Sequence, residues 1–251
     1  MEESLYHLFN EVQKSHWWFL GRAAIVTKLI EKYLSTRERI SGRRVEPNTL
    51  AEIGCGTGAM IPFLEKFGTV YGIEASQTAI DLCRQDGFQN VYLHSDLQWQ
   101  NRSFDALAFL DVIEHLDDDL EFVKHYLQWL KPGGWVVVTV PAFMWLWSEH
   151  DVINQHRRRY TRAQLRRLLE TAGLKIWKAS YFNSIFFPPI ALIRLAKKLL
   201  PQNTGTPRAD LNLTSSRFNT LFKVIFASER HWLAHFSFPV GISIICIAEY
   251  K

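Results

Sequence analysis

The sequence predicts an α/β fold built on a doubly wound, mostly parallel sheet, and three observations support this. A short apolar run, 49–51, leads into the glycine-rich segment 52–58, and apolar residues at helical spacing follow over 59–67. Strand-like and helix-like stretches then alternate as far as residue 140. The run 104–110 is apolar almost throughout, as a central parallel strand must be. In such a fold a ligand binds where the first strand ends.

The glycine-rich segment reads Glu-Ile-Gly-Cys-Gly-Thr-Gly, with glycines at 54, 56 and 58. Without a Cβ atom the backbone can turn tightly and a ligand can approach it closely. The G-x-G-x-G spacing differs from the G-x-G-x-x-G of dinucleotide-binding proteins. The segment therefore indicates a nucleotide-like ligand, with a tight turn that binds nothing as the alternative.

The next strand, predicted over 69–73, ends at an acidic residue, Glu74. In a βαβ unit an acid at this place reaches the two hydroxyls of a ribose. It would repel a phosphorylated ribose, so NADP is not expected. The alternative is that Glu74 only helps to start the helix that opens near Ser76.

Composition restricts the class of protein. The 251 residues suit one α/β domain with additions, and the net charge of +4 is too small to indicate a nucleic-acid partner. The three cysteines have no paired spacing, so neither a metal site nor a disulfide framework is predicted and a reducing cytoplasm fits. The acidic N-terminus lacks an apolar stretch, which predicts no signal peptide.

The remaining elements follow from periodicity and turn residues. Polar residues over 36–48 indicate a solvated linker. Acids at 117–119 open a helix, and the sequence Thr-Arg-Ala-Gln from Thr161 is a capping box. Helices are predicted over 76–86, 117–130 and 162–172, and strands over 90–94, 104–110, 135–140, 174–182 and 240–250.

Five motifs in order resemble those of one family. They are Glu52-x-Gly54-x-Gly56-x-Gly58, the acid Glu74, Asp96, Phe104-Asp105 with Glu114-His115, and Leu130-Lys131-Pro132-Gly133-Gly134. Over roughly 48–140 the chain resembles class I S-adenosylmethionine-dependent methyltransferases, in the small-molecule, quinone-biosynthesis-like branch (methyltransferase type 11/12). The resemblance implies a Rossmann-like sheet of seven strands in the order 3-2-1-4-5-7-6, with the last strand antiparallel.

The resemblance also implies the cofactor, S-adenosylmethionine, with S-adenosylhomocysteine as product. It implies that Asp96 accepts a hydrogen bond from the adenine amino group and that Leu97 flanks the ring, although Asp96 could be a turn residue. His115 is expected to order its loop, with a role as a base as the alternative. The predicted cofactor-binding residues are Trp18, Arg22, Glu52, Gly54, Cys55, Gly56, Gly58, Glu74, Ala75, Ser76, Asp96, Leu97, Leu110, Asp111, Val112 and His115.

Residues 4–35 are predicted to form one or two helices that include three consecutive aromatics, 17–19. Three neighbours cannot all lie on one helix face. Either the helix is wedged into the core on two sides, or it is a lid over the cofactor. In similar enzymes such a lid places the arginine, here Arg22, against the methionine carboxylate, and aromatic faces near the sulfonium.

Residues 141–160 follow the fifth strand, on the rim where ligands bind. The candidates for a base that accepts a proton from the acceptor are His150, Asp151, His156 and Tyr160. Six arginines over 157–167 indicate either a solvated helix face or an anion site. The loop at 111–116 lacks an Asn/Asp-Pro-Pro-aromatic sequence, which argues against amino groups of bases or of glutamine as acceptors.

The family usually joins its last two strands by a short turn, whereas here residues 183–237 intervene. Two amphipathic helices, 185–200 and 217–234, flank a loop predicted to be flexible, 201–216. A helical cap over the substrate is the favoured interpretation, and attachment to a membrane surface or capture of a lipid-like substrate is the alternative. The first helix is too short for a membrane span.

The sequence thus predicts three parts: an N-terminal helical lid at 1–40, a methyltransferase domain at 41–182 and 238–251, and a helical insertion at 183–237. The predicted function is methyl transfer to a small, apolar or aromatic acceptor, on oxygen or carbon rather than on a base nitrogen. A cytoplasmic location is expected, with peripheral membrane contact as a variant. The alternatives are an NAD-dependent oxidoreductase, a cofactor-binding regulatory protein without activity, and an RNA or protein methyltransferase.

Overall fold

A computed structural model describes residues 3–42, 47–95, 103–199 and 216–250. Its centre is a seven-stranded sheet in the order β3-β2-β1-β4-β5-β7-β6. The strands are β1 Thr49–Ile53, β2 Thr69–Glu74, β3 Val91–Leu93, β4 Phe104–Leu110, β5 Leu130–Pro141, β6 Leu174–Phe182 and β7 Ser243–Tyr250.

Strand direction explains where a ligand site can form. β1 pairs in parallel with β2 and β4, β4 pairs in parallel with β5, and β7 is antiparallel to both β5 and β6. The predicted strand order and the antiparallel last strand are confirmed. Because β1 has neighbours reached by crossovers in opposite directions, a crevice opens at its carboxyl end.

Helices cover both faces of the sheet. They are α1 Glu3–Val12, α2 Trp17–Ser41, α3 Ile61–Leu64, α4 Gln77–Gln85, α5 Asp119–Leu127, α6 Glu149–Ile153, α7 Arg162–Thr171, α8 Phe187–Leu199 and α9 Ser216–Leu233. The predicted capping box at the start of α7 is present, with both reciprocal hydrogen bonds between Thr161 and Gln164.

Side chains that alternate along the strands pack into two separate hydrophobic cores, one on each face of the sheet. On one face, Leu50 of β1 packs in a cluster with residues of α2, α4 and α9. On the other face, the adjacent Ala51 packs in a cluster with residues of α5 and α7. This is the three-layer arrangement that strands buried on both faces require.

The linker predicted to begin at residue 36 is wrong for 36–41, where α2 continues to Ser41. Gly42 ends the helix in the left-handed region, with φ of 66°, and its N–H donates to the carbonyl of Glu38. Packing stabilises the polar last turns of α2, because Tyr33, just before them, is fully buried against Trp135. Arg37 also donates to the carbonyl of Gly133, at 3.0 Å.

The insertion contributes to the core as well as to the surface. Phe226 and Leu233 of α9 are fully buried, and α9 packs along α2. The two helices cross closely at Gly21, where a Cβ atom would lie 2.3 Å from Cδ1 of Phe226. The loop predicted over 201–216 falls almost wholly outside the described residues. Among the described residues, no helix combines the length and the apolar character that a membrane span requires.

Candidate active site

A cavity of about 540 Å³ opens at the carboxyl ends of β1 and β4. Its floor is the glycine loop, its roof is α1 with the start of α2, and its far wall comes from the segment after β5 and from α8. This volume lies within the range of small-molecule sites, about 300–1,000 Å³.

The glycine loop turns sharply at the end of β1. Gly54, Gly56 and Gly58 all have positive φ, at 70°, 55° and 81°. A Cβ atom at Gly54 would lie 2.7 Å from Cγ2 of Val112, so the loop fits against β4 only with glycine there. The loop therefore presents bare backbone to the cavity.

Glu74 stands behind this loop and organises it. Its carboxylate accepts hydrogen bonds from the backbone N–H groups of Gly56, at 2.9 Å, Ala75, at 2.8 Å, and Ser76, at 3.1 Å. Ser76 is also the N-cap of α4, as its side chain accepts from the N–H of Ala79. Glu74, Ala75 and Ser76 are beside the cavity rather than among the residues that line it.

The N-terminal helices are fastened to the glycine loop by a pair of buried hydrogen bonds. Nε2 of Gln13 donates to the carbonyl of Thr57 at 3.1 Å, and Oγ1 of Thr57 donates to Oε1 of Gln13 at 2.9 Å. The consecutive tryptophans then separate. Trp17 packs against Phe186 of the insertion, with ring centroids 5.2 Å apart, while Trp18 lies 4.8 Å from the guanidinium of Arg22.

Three ionisable side chains lie at the deep end of the cavity. Arg22 forms an ion pair with Asp111, whose backbone has φ of 59° immediately after β4. Glu52 is close by, and burial, partly opposed by Arg22, raises its pKa to about 8. A non-glycine residue in the left-handed region is a common sign of a functional position.

The structure brings most of the predicted cofactor residues to one cavity. Gly58 lines a second, smaller cavity of about 310 Å³ instead, and Val112 packs behind Gly54. Asp96 and Leu97 lie outside the described residues. The predicted residues that line the main cavity are Trp18, Arg22, Glu52, Gly54, Cys55, Gly56, Leu110, Asp111 and His115.

The candidate bases occupy different positions. His150 and His156 line the cavity. Asp151 is fully buried behind them, where it forms a bidentate ion pair with Arg159 and accepts a hydrogen bond from Nδ1 of His156 at 2.9 Å. Although burial disfavours its charge, the hydrogen bonds from His156 and Arg159 hold the pKa of Asp151 well below its usual range. Asp151 thus orients His156 and does not face the cavity.

Two histidines are kept neutral by their surroundings. Burial lowers the pKa of His150 to about 4, and its ring contacts the side-chain amide of Asn154 at 3.1 Å. Burial and the neighbouring His156 lower the pKa of His115 to about 4. Neutral imidazoles offer a lone pair to a proton or a cation.

Tyr160 lies outside the cavity lining and is buried. Its hydroxyl donates to Oδ2 of Asp119 at 2.6 Å, and burial together with Asp119 raises the pKa of Tyr160 far above its usual value. A phenol held in this way cannot accept a proton from a ligand in the cavity, so we do not retain Tyr160 as a base.

The arginines of 157–167 mostly bind this chain's own acceptors. Arg159 donates hydrogen bonds to Asp151 and to the carbonyl of Ala142, and Arg158 donates one to Asp119. Arg166 pairs with Glu170 on the exposed side of α7. Of this group, only Arg159 borders the cavity among the described residues.

Sequence reasoning missed Glu114 as a site residue. Its side chain lines the cavity and is fully buried, and neither carboxylate oxygen has a hydrogen-bond partner among the described residues. Ligand atoms of Glu114, His115 and His156 all lie within 4.8 Å of one another. The Glu114-His115 pair was visible in the sequence, but His156 arrives from a different loop, so only the fold reveals the cluster.

The site fits S-adenosylmethionine by its own structure. The glycine positions leave the backbone open where a Cβ atom at Gly56 would meet nothing within 4 Å. A carboxylate stands at the end of β2, the ring of Trp18 lies against the guanidinium of Arg22, and the buried acid Glu52 is close to it. The expectation that Glu74 and the glycine loop hold the ribose part, and Arg22 the carboxylate of the methionine part, stays a prediction.

Comparison with known proteins gives the same result. A family model described as a methyltransferase domain matches residues 25–179. The ubiquinone biosynthesis O-methyltransferase of Dictyostelium discoideum is 26% identical over 163 residues, which cover 52% of this chain and 50% of that protein. The chain spans about half the length of the curated relatives it matches.

Solved structures share the fold at low sequence identity. The plantazolicin methyltransferase BpumL, in complex with a monoazolic desmethylPZN analogue and S-adenosylhomocysteine, matches with a TM-score of 0.56 and 11% identity, over 92% of this chain and 85% of that one. The Haemonchus contortus phosphoethanolamine N-methyltransferase 2, in complex with S-adenosylmethionine, matches with a TM-score of 0.51 and 18% identity, over 87% of this chain and 52% of that one. The resemblance seen in the sequence is confirmed: the chain belongs to the methyltransferase domain family and has the fold of the class I S-adenosylmethionine-dependent enzymes.

Proposed function

We propose that this chain transfers a methyl group from S-adenosylmethionine to an oxygen or carbon atom of a small, apolar or aromatic acceptor. The observation that carries the proposal is that one cavity joins the glycine loop to His150 and His156. Cofactor and acceptor would therefore meet inside a single cavity.

The chemical character of the walls favours an apolar or aromatic acceptor. Phe9, Trp17 and Phe19 line the cavity from the N-terminal helices, and Ile190 and Ile193 line it from α8. Aromatic and aliphatic walls with a few polar groups are typical of sites that orient a small apolar ligand. The name of the Dictyostelium relative, an O-methyltransferase, supports oxygen as the methylated atom.

The chain's own part in such a reaction is alignment and exclusion of water. The cofactor supplies a methyl group that is already activated on a sulfonium. The buried hydrogen bonds between Gln13 and Thr57 hold the roof closed over the glycine loop. Holding two reactants in line within a dry cavity can contribute much of a rate enhancement.

A hydroxyl acceptor must also lose its proton during the reaction. His156 is better placed than His150 to assist, since Asp151 fixes its ring while the Asn154 amide contacts the ring of His150. We therefore place the reacting atom of the acceptor beside His156, between Glu114 and the glycine loop.

Cofactor choice is tested by calorimetry. We expect S-adenosylmethionine or S-adenosylhomocysteine to bind in preference to NAD, and Glu74→Ala to weaken binding by about 1–3 kcal/mol, because charged hydrogen bonds are lost. Glu74→Gln is the matched variant, since it keeps the shape of the side chain. Tight binding of NAD without a signal from S-adenosylmethionine would point to the oxidoreductase alternative.

The acceptor is tested with cofactor labelled in its methyl group. Phenols, catechols, aliphatic alcohols, RNA and a protein extract would be offered separately, and the products identified by mass spectrometry. Label on a small aromatic or apolar compound supports the proposal. Label confined to RNA or protein contradicts it, and absence of transfer to any acceptor despite tight cofactor binding favours a regulatory role.

We also propose that α8 and α9 contact a membrane surface, as an aid to capturing an apolar acceptor. Leu192, Phe218, Val224 and Trp232 are 69%, 58%, 60% and 61% exposed, so both helices present large apolar side chains to solvent. Flotation with anionic liposomes should recover the protein, and Phe218→Glu with Trp232→Glu should abolish recovery while turnover on a soluble acceptor persists. Unchanged flotation of that double variant would leave α8 and α9 as a cap only.

A further inference from the structure

We propose that Asn183 and Ser243 form a second polar subsite in the cavity, which binds a hydroxyl group of the acceptor remote from the atom that is methylated. The acceptor is then an apolar or aromatic diol with hydroxyls at opposite ends. The inference deepens the proposed methyl transfer and rests on it for the identity of the ligand as the acceptor. Both side chains line the cavity.

Strand order places this subsite at the end of the cavity away from the glycine loop. β6 ends at Phe182, immediately before Asn183, and β7 begins at Ser243. Ser243 is the register partner of both Phe182 and Pro141, the last residue of β5. Neighbouring strands lie about 4.8 Å apart, so the strand order puts β6 about 19 Å from β1. The subsite therefore lies on the acceptor's side of the cavity.

The first argument is the state of the Asn183 amide. The residue is only 2% exposed, and its Oδ1 has no hydrogen-bond partner among the described residues. A buried polar atom without a partner destabilises a fold, and a ligand that supplies the partner removes that cost. An amide carries both an acceptor oxygen and donor N–H groups, so turning it about its last bond lets it match a hydroxyl in either direction.

The second argument is that the loop after β6 holds Asn183 in one conformation. Its backbone has φ of 57°, a region that asparagine adopts more readily than most residues with a side chain. Oε1 of Glu229, a fully buried carboxylate of α9, accepts hydrogen bonds from the N–H groups of Ser184, at 2.7 Å, and Ile185, at 2.8 Å. The carbonyl of Asn183 accepts from the N–H of Ile242 at 3.4 Å. A fixed backbone therefore presents the amide, as a binding group requires.

The third argument is the second polar group beside this amide. Ser243 is buried and lines the same cavity, one strand away from Asn183. A serine hydroxyl both donates and accepts, so the amide and the serine together can satisfy the O–H and the lone pairs of one bound hydroxyl. Pro141, Ile190 and Ile242 give the cavity an apolar lining in the same region. A ligand with an apolar body and a terminal hydroxyl fits these surroundings.

The position of the subsite defines the class of acceptor. The reacting atom is placed beside His156 and Glu114, at the end of β4, and the strand order puts β6 about 14 Å from β4. Side chains that reach into the cavity shorten this span, but it remains longer than the separation of two hydroxyls on neighbouring carbons. A hydroxyl bound by Asn183 and Ser243 is therefore at the opposite end of a ring system or of an alkyl chain.

The test compares ligands that differ by one hydroxyl, with the full chain saturated with S-adenosylhomocysteine. The probes are naphthol, a dihydroxynaphthalene with a hydroxyl at each end of the ring system, and a dihydroxynaphthalene with both hydroxyls on neighbouring carbons. Calorimetry gives the affinity for each. We expect the opposite-end diol to bind about 5–100-fold more tightly than naphthol, because naphthol leaves the buried amide unpaired. The neighbouring diol should gain much less over naphthol.

Asn183→Gly separates a binding role of the amide from a role in the turn. Glycine adopts a positive φ without steric cost, so this change removes the amide and keeps the backbone. The variant should bind naphthol as the parent does and lose the preference for the opposite-end diol. Its stability in urea should stay close to that of the parent. A preference that survives in this variant would show that Asn183 serves only the turn.

Ser243→Ala should lose part of the same preference. Ser180→Ala is the matched control, because Ser180 is a buried serine of β6 outside the cavity lining. Its hydroxyl donates to the carbonyl of Tyr181 and accepts from the N–H of Phe238, both at 2.8 Å. The control should lower the free energy of unfolding and keep the preference of the parent.

Equal affinity of the parent for naphthol and the opposite-end diol, or no measurable binding of any probe, would overturn the subsite. Methyl transfer to naphthol and to this diol with equal kcat/KM would also overturn it, while leaving the proposed function intact. Preferential binding of the diol that is lost in Asn183→Gly, without transfer of a methyl group to any compound, would support the subsite and count against methyl transfer.

Discussion

Beside the cofactor end of the cavity, backbone N–H groups satisfy the carboxylate of Glu74, whereas at the acceptor end the carboxylate of Glu114 has no hydrogen-bond partner within the part of the chain that the structure describes. The loops after β1 and β2 form the base of the cofactor end, and Trp18 and Arg22 of α2 reach it from a distant part of the sequence. The acceptor end gathers side chains from the loop after β4 and from the segment after β5. The contrast is between these two acids and not between two whole ends, since the cofactor end also holds Glu52, a buried acid whose Oε2 has no hydrogen-bond partner among the described residues.

This difference predicts different consequences of mutation. A change at the glycine loop alters backbone geometry, so it should affect both folding and cofactor binding. A change at the histidines removes groups that the fold does not need, so it should affect turnover far more than stability. The four predictions below test that contrast, from the largest expected effect to the smallest.

The largest effect is expected for His156→Ala. Turnover on the true acceptor should fall by about 10²–10⁴-fold, the range for loss of a group that handles the proton, while cofactor affinity stays nearly the same. His150→Ala is the matched variant and should fall much less, because the Asn154 amide already contacts its ring. Steady-state kinetics and calorimetry make the comparison. Equal losses of turnover in the two variants, or no loss in either, would contradict the role proposed for His156.

Gly54→Ala should be the most damaging single change at the cofactor end. Its positive φ costs about 1–2 kcal/mol for a residue with a side chain. The new Cβ would also lie 2.7 Å from Val112, which adds about 1–3 kcal/mol.

Gly133→Ala is the matched control for Gly54→Ala. Its φ of +74° is similar, and its Cβ would meet nothing within 4 Å. Urea unfolding should therefore show the larger loss of stability at Gly54, and only Gly54→Ala should also weaken binding of S-adenosylhomocysteine. Equal stability losses would mean that the contact with Val112 relaxes freely.

Gly21→Ala tests whether the insertion is part of the core. The added Cβ would lie 2.3 Å from Phe226, so we expect a loss of about 1–3 kcal/mol in the free energy of unfolding. Combining it with Phe226→Ala should cost less than the sum of the two single changes, because the smaller side chain makes room. Strict additivity in urea unfolding would show that α2 and α9 do not meet at this point.

The smallest effect concerns the proposed lid. Gln13→Ala removes two buried hydrogen bonds to Thr57. It should lower the free energy of local opening across 10–24 by about 1–2 kcal/mol, so the backbone amides there should exchange faster. Lys14→Ala removes an exposed ion pair with Asp86 and should change exchange by less.

Cofactor saturation should protect 10–24 in the parent chain. An unchanged exchange rate on saturation would make these aromatics core residues rather than a lid.

Local patterns identified the fold and the cofactor end. The alternation of strands and helices, the glycines at 54, 56 and 58, and the acid after β2 are short-range signals, because a βαβ unit forms between neighbours in sequence. The same reasoning placed the end of α2 too early. The polar composition of 36–41 favoured a linker, whereas burial of Tyr33 and the contact of Arg37 with Gly133 extend the helix to Ser41.

The acceptor end depended on tertiary structure. The sequence singled out His150, Asp151, His156 and Tyr160 as equals, since all four fall within one short segment. Only the folded chain shows that Asp151 lies behind His156, and that Tyr160 is fixed by Asp119 away from the cavity.

By itself, then, the sequence located the glycine loop from residues adjacent in the chain, and its five motifs carried the family resemblance that implied the strand order. The tertiary structure decided that α9 enters the core beside Gly21, and that Glu114 and His115 meet His156. Those contacts join segments that are far apart in sequence. Their geometry depends on how the layers pack around the sheet, which no local pattern records.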